Sequence, residues 1–232
     1  MEFLPNDPPS VEQIRARHER LLARLRQVAE GAGHDPARLR IVGVTKTHPA
    51  SLARAALTAG ITRLGESRIQ EAKPKIDAVS EAEWHFIGRL QSNKARRAVR
   101  RFAVIHSVDS PELLQRVDDL AAGEGVTPIV LLQVNVSGEA SKAGMASASL
   151  EAIRAPRTVR LRGLMTLAPM GASDEEARSV FARLRGLRDD LEQRIGHRLP
   201  ELSMGMSADA EAAAAEGATL VRVGTLLFGP RG

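Results

Sequence analysis

The feature that most narrows what this chain can fold into is an alternation. From residue 40 onward, short apolar runs occupy 40–45, 61–65, 84–88, 103–108, 127–135, 159–167, 200–203 and 219–224. Polar turns and helical patterns near 50–59, 67–79, 92–101, 110–122, 147–155, 173–195 and 207–216 separate them. Strands that alternate with helices are joined by crossovers and therefore run parallel. Eight such units predict a single (β/α)8 TIM barrel, with its site at the C-terminal ends of the strands. An open doubly wound sheet shares the alternation, but no G-x-G-x-x-G follows the first run and no Walker-type phosphate loop occurs anywhere. Ahead of the barrel, Val11, Ile14, Leu21, Leu22, Leu25 and Val28 recur at helical spacing, which predicts an extra helix over 9–31 stopped by Gly31. No Pro/Gly/Ser-rich linker divides the chain, so one domain is expected over 1–232, with the barrel in 40–232.

Composition removes several chemistries. The absence of cysteine excludes disulfides, thiolate metal sites and thiol nucleophiles, and the absence of tyrosine removes a common acid/base group. The net charge of +5 raises the question of nucleic acid, but arginines are interspersed with acids and aromatics are only 3% of residues, too few to stack bases. Nucleic acid is therefore not the expected partner. The basic stretch 94–101 (Lys94, Arg96, Arg97, Arg100, Arg101) reads as a solvated helix face. No apolar run is long enough for a bilayer, and "MEFLPNDPPS" lacks the regions of a signal peptide, so a cytoplasmic protein is expected.

The polar residues at the strand ends carry the chemistry. Only five lysines accompany twenty-eight arginines, and one of them, Lys46, ends the first apolar run in "IVGVTKTHP". A lysine among apolar neighbours has its charged form disfavoured, which lowers its pKa and raises its nucleophilicity, as Schiff-base chemistry needs. Ser207 stands where a helix is expected to begin, as an N-cap, and Gly224-Thr225 follows the last strand. A helix cap and a tight turn account for each alone. Together, on the loops after strands seven and eight, they match the recurrent phosphate site of the barrel. Arg222 shares its strand face with Gly224 and is expected to be an exterior cation reaching solvent beside a helix, a buried structural ion pair, or a cation facing a ligand's ring nitrogen or carboxylate. Lysine plus phosphate cradle points to a phosphorylated carbonyl compound. Pyridoxal phosphate and the sugar phosphate of an aldolase both fit this pattern. His18, His34 and His197 have no ligand spacing, and His106 is either core or site.

"VGVTKTHP", "GESRIQEAKPKI", "WHFIGRLQSNKARRA", "IHSVDS", "LLQVNVSGEASKAGM", "LRGLMTLAP" and "LSMGMSADAEAAAAEGATLVRVGTLLFGPRG" resemble the pyridoxal phosphate homeostasis proteins, from about residue 40 to the C-terminus. The resemblance implies a barrel like the N-terminal domain of alanine racemase and pyridoxal 5'-phosphate as cofactor. It makes Lys46 the Schiff-base lysine. Ser207, Gly224 and Thr225 become phosphate ligands, and Arg222 the residue facing the pyridine nitrogen. Met206, Met165, Ser67 and His85 are implied as further cofactor contacts, Ser67 standing where the family usually has Asn. It implies a cofactor-holding protein without dedicated catalysis, in transient contact with cofactor-dependent apoenzymes. A monomer is expected, since a lone barrel needs no partner to complete its site. The alternative is a weak amino-acid racemase. Racemisation needs two opposed bases, and this chain has no tyrosine to be the second.

Overall fold

The computed structural model describes residues 8–138 and 143–229. The opening segment through residue 7, positions 139–142 of the "VSGEASKAGM" motif and the last three residues lie outside the described residues. Eight parallel strands close into a barrel: β1 (Arg40–Val44), β2 (Arg63–Glu66), β3 (Glu83–Phe86), β4 (Val104–Val108), β5 (Ile129–Asn135), β6 (Arg160–Met165), β7 (Glu201–Ser203) and β8 (Leu220–Val223). Each pairs with the next in sequence, and β8 returns to β1 with Arg40 opposite Leu220 and Gly43 opposite Val223. A two-residue strand, Met145–Ala146, extends the far end of β5.

The helices α2 (Ala50–Thr58), α3 (Ile69–Ala78), α4 (Ala95–Val99), α5 (Pro111–Glu124), α6 (Asp174–Ile195), α7 (Ala210–Ala215) and α8 (Thr225–Phe228) follow the strands. Local signals set their ends. Ser110 caps α5 by accepting from Leu113 N, with Pro111 preset for the first turn and Gly125 left-handed at the exit. Ser173 and Glu176 form a reciprocal capping box on α6. The front helix α1 (Val11–Gly31) begins with the same device, Ser10 and Gln13, and buries Ile14, Leu25 and Ala29 completely or nearly so. Arg17 Nη1 of α1 donates to the Leu227 carbonyl at 3.1 Å, and Arg24 pairs with Glu211 of α7, which fasten α1 to the last units of the barrel.

One crossover differs from the pattern read in 147–155: it is a 3-10 turn, Ser147–Ala152, and not an α-helix. Ile153 is already extended, at ψ 132°, and Pro156 disfavours helical geometry at Ala155, so the segment ends after six residues. The basic stretch is partly paired in place. Arg96 and Arg100 both pair with Glu124 of α5, and Arg101 lies 3.8 Å from Asp77. Among the described residues no helix is long and apolar enough to cross a membrane.

Inside the barrel, alternate positions face the lumen. Val42, Leu131, Met165 and Leu220 form an apolar interior cluster, while Ile41 and Leu64 belong to the larger core under the helices. At the N-terminal ends of the strands the lumen holds charge: Arg40 pairs with Glu201, and Arg63 with Glu83 opposite it in register. Where β6 passes β7, Gly163 leaves no room for a side chain, since a Cβ would lie 1.8 Å from the Glu201 carbonyl oxygen. That obstacle is backbone within a paired strand. Gly163→Ala is therefore expected to cost more than about 3 kcal/mol, in the range of backbone-clash and overpacking lesions, seen as lost soluble yield and a collapsed urea midpoint.

Candidate functional site

The parity that places Val42 and Val44 on the inner face of β1 carries on to Lys46, just beyond its end. Lys46 is half-buried and lines a cleft of about 280 Å³ at the C-terminal mouth of the barrel, together with Val44, His48, Met206, Ser207 and Arg222, among others. Its position is fixed from below. Thr45 is fully buried, and its hydroxyl donates to Glu66 Oε1 at 2.6 Å. Lys75 of α3, also buried, donates to the same oxygen at 2.6 Å and to the Thr45 carbonyl at 2.7 Å. A buried ion pair thus ties the residue before Lys46 to β2 and α3.

The next residue is strained. Thr47 has φ 70°, and a β-branched side chain is disfavoured in the left-handed region, at a cost of about 1–3 kcal/mol. Among the described residues it is the one non-glycine with positive φ. The strain forms the turn in which His48 N donates to the Thr45 carbonyl at 3.1 Å, with the His48 ring edge-on to Phe228. Thr47→Gly is expected to raise the urea midpoint by relieving this strain; an unchanged or lower midpoint would mean that the conformation is not strained in this setting.

Two loops face Lys46 across the cleft. After β7, Gly205 has φ 87° and sits so close to α7 that a Cβ would meet that of Ala213 at 2.5 Å. The chain then turns through Met206 and Ser207, with Asp209 Oδ1 accepting from Met206 N at 2.6 Å. Ser207 is not the helix N-cap that its sequence context predicted. The helix α7 starts at Ala210 with Asp209 in the cap position, because the Asp209 carboxylate closes the preceding turn. Freed of that role, Ser207 Oγ accepts from Thr225 Oγ1 at 2.9 Å, joining the loop after β7 to the one after β8. Gly224 lies between them, where a Cβ would stand 3.3 Å from the Val44 carbonyl oxygen.

Arg222 is buried in the lumen at the base of the cleft. Its Nη1 donates to Ser203 Oγ at 2.5 Å and its Nη2 to the Thr166 carbonyl at 3.0 Å. Burial pulls its pKa down to about 10, and the carboxylate of Asp209 offsets part of that fall, so the guanidinium stays charged at neutral pH.

Of the residues singled out from sequence, Lys46, Met206, Ser207, Arg222, Gly224 and Thr225 share this cleft. Met165, Ser67 and His85 do not line it. Met165 packs in the apolar lumen beside Val42, and Ser67 lies after β2, its carbonyl against Gly88. His85 is fully enclosed, hydrogen-bonded to Glu83 and His106. Sequence reading missed Val44, His48, Ala208 and Gly229 as lining residues. Val44, Ala208 and Gly229 have no side chain that advertises chemistry, whereas His48, two residues after Lys46, could have been found from its place at the end of the first strand.

Burial drives His85 below its ordinary pKa against the opposing pull of Glu83, and drives His106 well below, where a proton would also be repelled by Arg222 and by any proton on His85. Both are therefore neutral in the folded protein. The unfolded chain takes up these protons first, near the ordinary value of 6.5, so their contribution is present above that pH and lost as pH falls below it. The urea midpoint is expected to drop between pH 7.5 and 5.5, where ordinary carboxylates remain largely ionised; a flat profile would show that the pair is not held neutral.

Residues 17–232 match the family profile of the alanine racemase N-terminal domain. The pyridoxal phosphate homeostasis protein of Pseudomonas aeruginosa is 45% identical over 219 residues, covering 91% of this chain and 93% of its own. The protein of the same name from Aquifex aeolicus is 39% identical over 222 residues, covering 93% and 97%. Among solved structures, PipY of Synechococcus elongatus with PLP bound superposes with a TM-score of 0.79 at 41% identity, covering 88% of this chain and 100% of that one. Alanine racemase of Clostridium difficile superposes at 0.72 with 16% identity over 90% of this chain and 59% of that chain, a likeness of fold.

Proposed function

This chain belongs to the pyridoxal phosphate homeostasis protein family, and from that premise we propose that it binds pyridoxal 5'-phosphate covalently through Lys46 and holds it without a reaction of its own. The observation that carries the reading is one cleft with a primary amine on one side and a glycine flanked by two hydroxyls on the other. The donor set suits the cofactor. Ser207, Thr225 and the open backbone at Gly224 offer hydrogen bonds to a phosphate. When bound, pyridoxal phosphate supplies an aldehyde that condenses with a primary amine, water leaving, and a conjugated ring that reports the linkage as visible absorbance. Lys46 is the amine, and the strained turn at Thr47 with the Glu66–Lys75 pair holds its backbone. Arg222 faces the ring nitrogen. A guanidinium only donates and does not give up its proton at neutral pH, so it leaves that nitrogen unprotonated and weakens the ring as an electron sink.

The same lining argues against racemisation, which needs a second base on the opposite face of the substrate. Besides Lys46, the titratable side chains lining the cleft are His48, in the same turn as Lys46 and packed on Phe228, and the charged Arg222. The whole chain acts as one cofactor-holding domain, a cytoplasmic monomer that passes the cofactor to apoenzymes by transient contact. Titration of cofactor-free protein with pyridoxal phosphate tests the reading. A visible band that saturates at one equivalent is expected, with no D-alanine after prolonged incubation of the loaded protein with L-alanine. A colourless protein, or turnover of L-alanine, would reject it.

A further inference from the structure

The lumen contains a polar path that cofactor binding as described above does not use. Glu83 Oε1 lies 2.9 Å from His85 Nε2, His85 Nδ1 lies 2.8 Å from His106 Nε2, and His106 Nδ1 lies 2.8 Å from Ser203 Oγ, which accepts from Arg222 Nη1. The path starts on β3 at the N-terminal end of the barrel and steps to β4. It then crosses the lumen to β7, which does not pair with β4, and ends on β8 at the base of the cleft. His85, His106, Ser203 and Arg222 are all buried, whereas the Glu83 side chain is 42% exposed and also meets Arg63.

The two ends dictate the direction of every bond between them. An ionised carboxylate only accepts and a guanidinium only donates. Glu83 therefore requires the proton of neutral His85 on Nε2, which leaves His85 Nδ1 to accept. His106 must then carry its proton on Nε2, which leaves His106 Nδ1 to accept from the Ser203 hydroxyl. The Ser203 oxygen keeps its lone pairs for Arg222. No link is frustrated, and only one arrangement of protons satisfies all four. The charges facing the line are Arg40 and Arg63 beside Glu83 and His85, and Arg222 beside His106. The pull of His85, then of those arginines, holds the Glu83 carboxyl below its usual range.

We propose that Glu83, His85, His106 and Ser203 are positioning residues for the cofactor: a line of fixed donor direction that lets the far end of the barrel set how Arg222 presents its guanidinium to the ring nitrogen. The proposal rests on the reading that Arg222 faces that ring. It makes the spectrum and affinity of the bound cofactor depend on a carboxylate on the opposite side of the molecule, which a core hydrogen bond of purely structural value would not do.

The test uses the full chain with 15N-labelled histidine, plus Glu83→Met, which removes the acceptor, and Glu83→Gln, which keeps one. In cofactor-free wild type at pH 7.5, 15N chemical shifts should show both His85 and His106 as Nε2–H tautomers, with Glu83→Gln unchanged and Glu83→Met mixed. On loading with pyridoxal phosphate, Glu83→Met should shift the visible maximum and its pH midpoint and bind about tenfold more weakly, and Glu83→Gln should restore all three. Other tautomers in the wild type, or a Glu83→Met spectrum and affinity equal to wild type, would overturn the proposal while leaving cofactor binding intact. A wild type that takes up no cofactor would instead remove the reading beneath it, whatever the tautomers show.

Discussion

Lys46→Ala is expected to lose the visible band of the bound cofactor altogether while remaining folded. The side chain is half-buried at the mouth of the cleft and lies outside the buried core, so truncating it leaves no sealed cavity. The Ser207–Thr225 pair is untouched, and noncovalent affinity for the phosphate should survive. Pyridoxine 5'-phosphate, which has no aldehyde, separates the two contributions: it should bind wild type and Lys46→Ala with similar affinity, while pyridoxal phosphate distinguishes them strongly. A band that persists in Lys46→Ala would place the linkage on another lysine. Equal loss of both ligands would mean that the substitution had damaged the cleft.

Lys75→Met is expected to produce the largest loss of stability among conservative changes near the site. Lys75 Nζ and Glu66 Oε1 lie 2.6 Å apart with side chains 5% and 0% exposed. Glu66 Oε2 is buried without a hydrogen-bond partner of its own. Removing the ammonium leaves a carboxylate in the core with only the Thr45 hydroxyl to meet it. Breaking such a pair from one side costs about 3–5 kcal/mol, a large share of a typical domain's 5–15 kcal/mol. Replacing both partners by groups of similar shape costs far less, so Lys75→Met with Glu66→Gln should recover most of the lost urea midpoint. Because the pair also holds the Thr45 carbonyl, cofactor affinity should fall in the single variant even under conditions where it stays folded. A single variant as stable as wild type would show that the pair contributes nothing net.

The barrel was legible because each of its parts leaves a local trace. Apolar runs, helical spacing and the parity of Arg222 with Gly224 are all readable within a few residues, and the fold rule then assigns a place to the loops after β7 and β8. Lys46 was legible for the same reason, as a rare lysine at the end of an apolar strand. What escaped the sequence is what depends on distant partners. Nothing in "WHFIG" or "IHSV" shows that His85 and His106 meet in the lumen, or that His106 reaches Ser203, 97 residues away. Nor does Lys75, one of several polar residues in "QEAKPKI", reveal that it reaches under β1 to Thr45 and Glu66. Ser207 has the sequence context of a cap, but the Asp209 carboxylate, two residues on, closes the turn at Met206 and the helix begins only at Ala210, a choice that neighbouring residues do not reveal.

The most direct test of the account is reduction of the loaded protein with borohydride followed by peptide mapping. The chain has five lysines, so the outcome discriminates among named sites. The account predicts one reduced pyridoxyl group per chain, on the peptide carrying Lys46. The same group on Lys73, Lys75, Lys94 or Lys142, or an unmodified Lys46 in protein that had been visibly loaded, would contradict it.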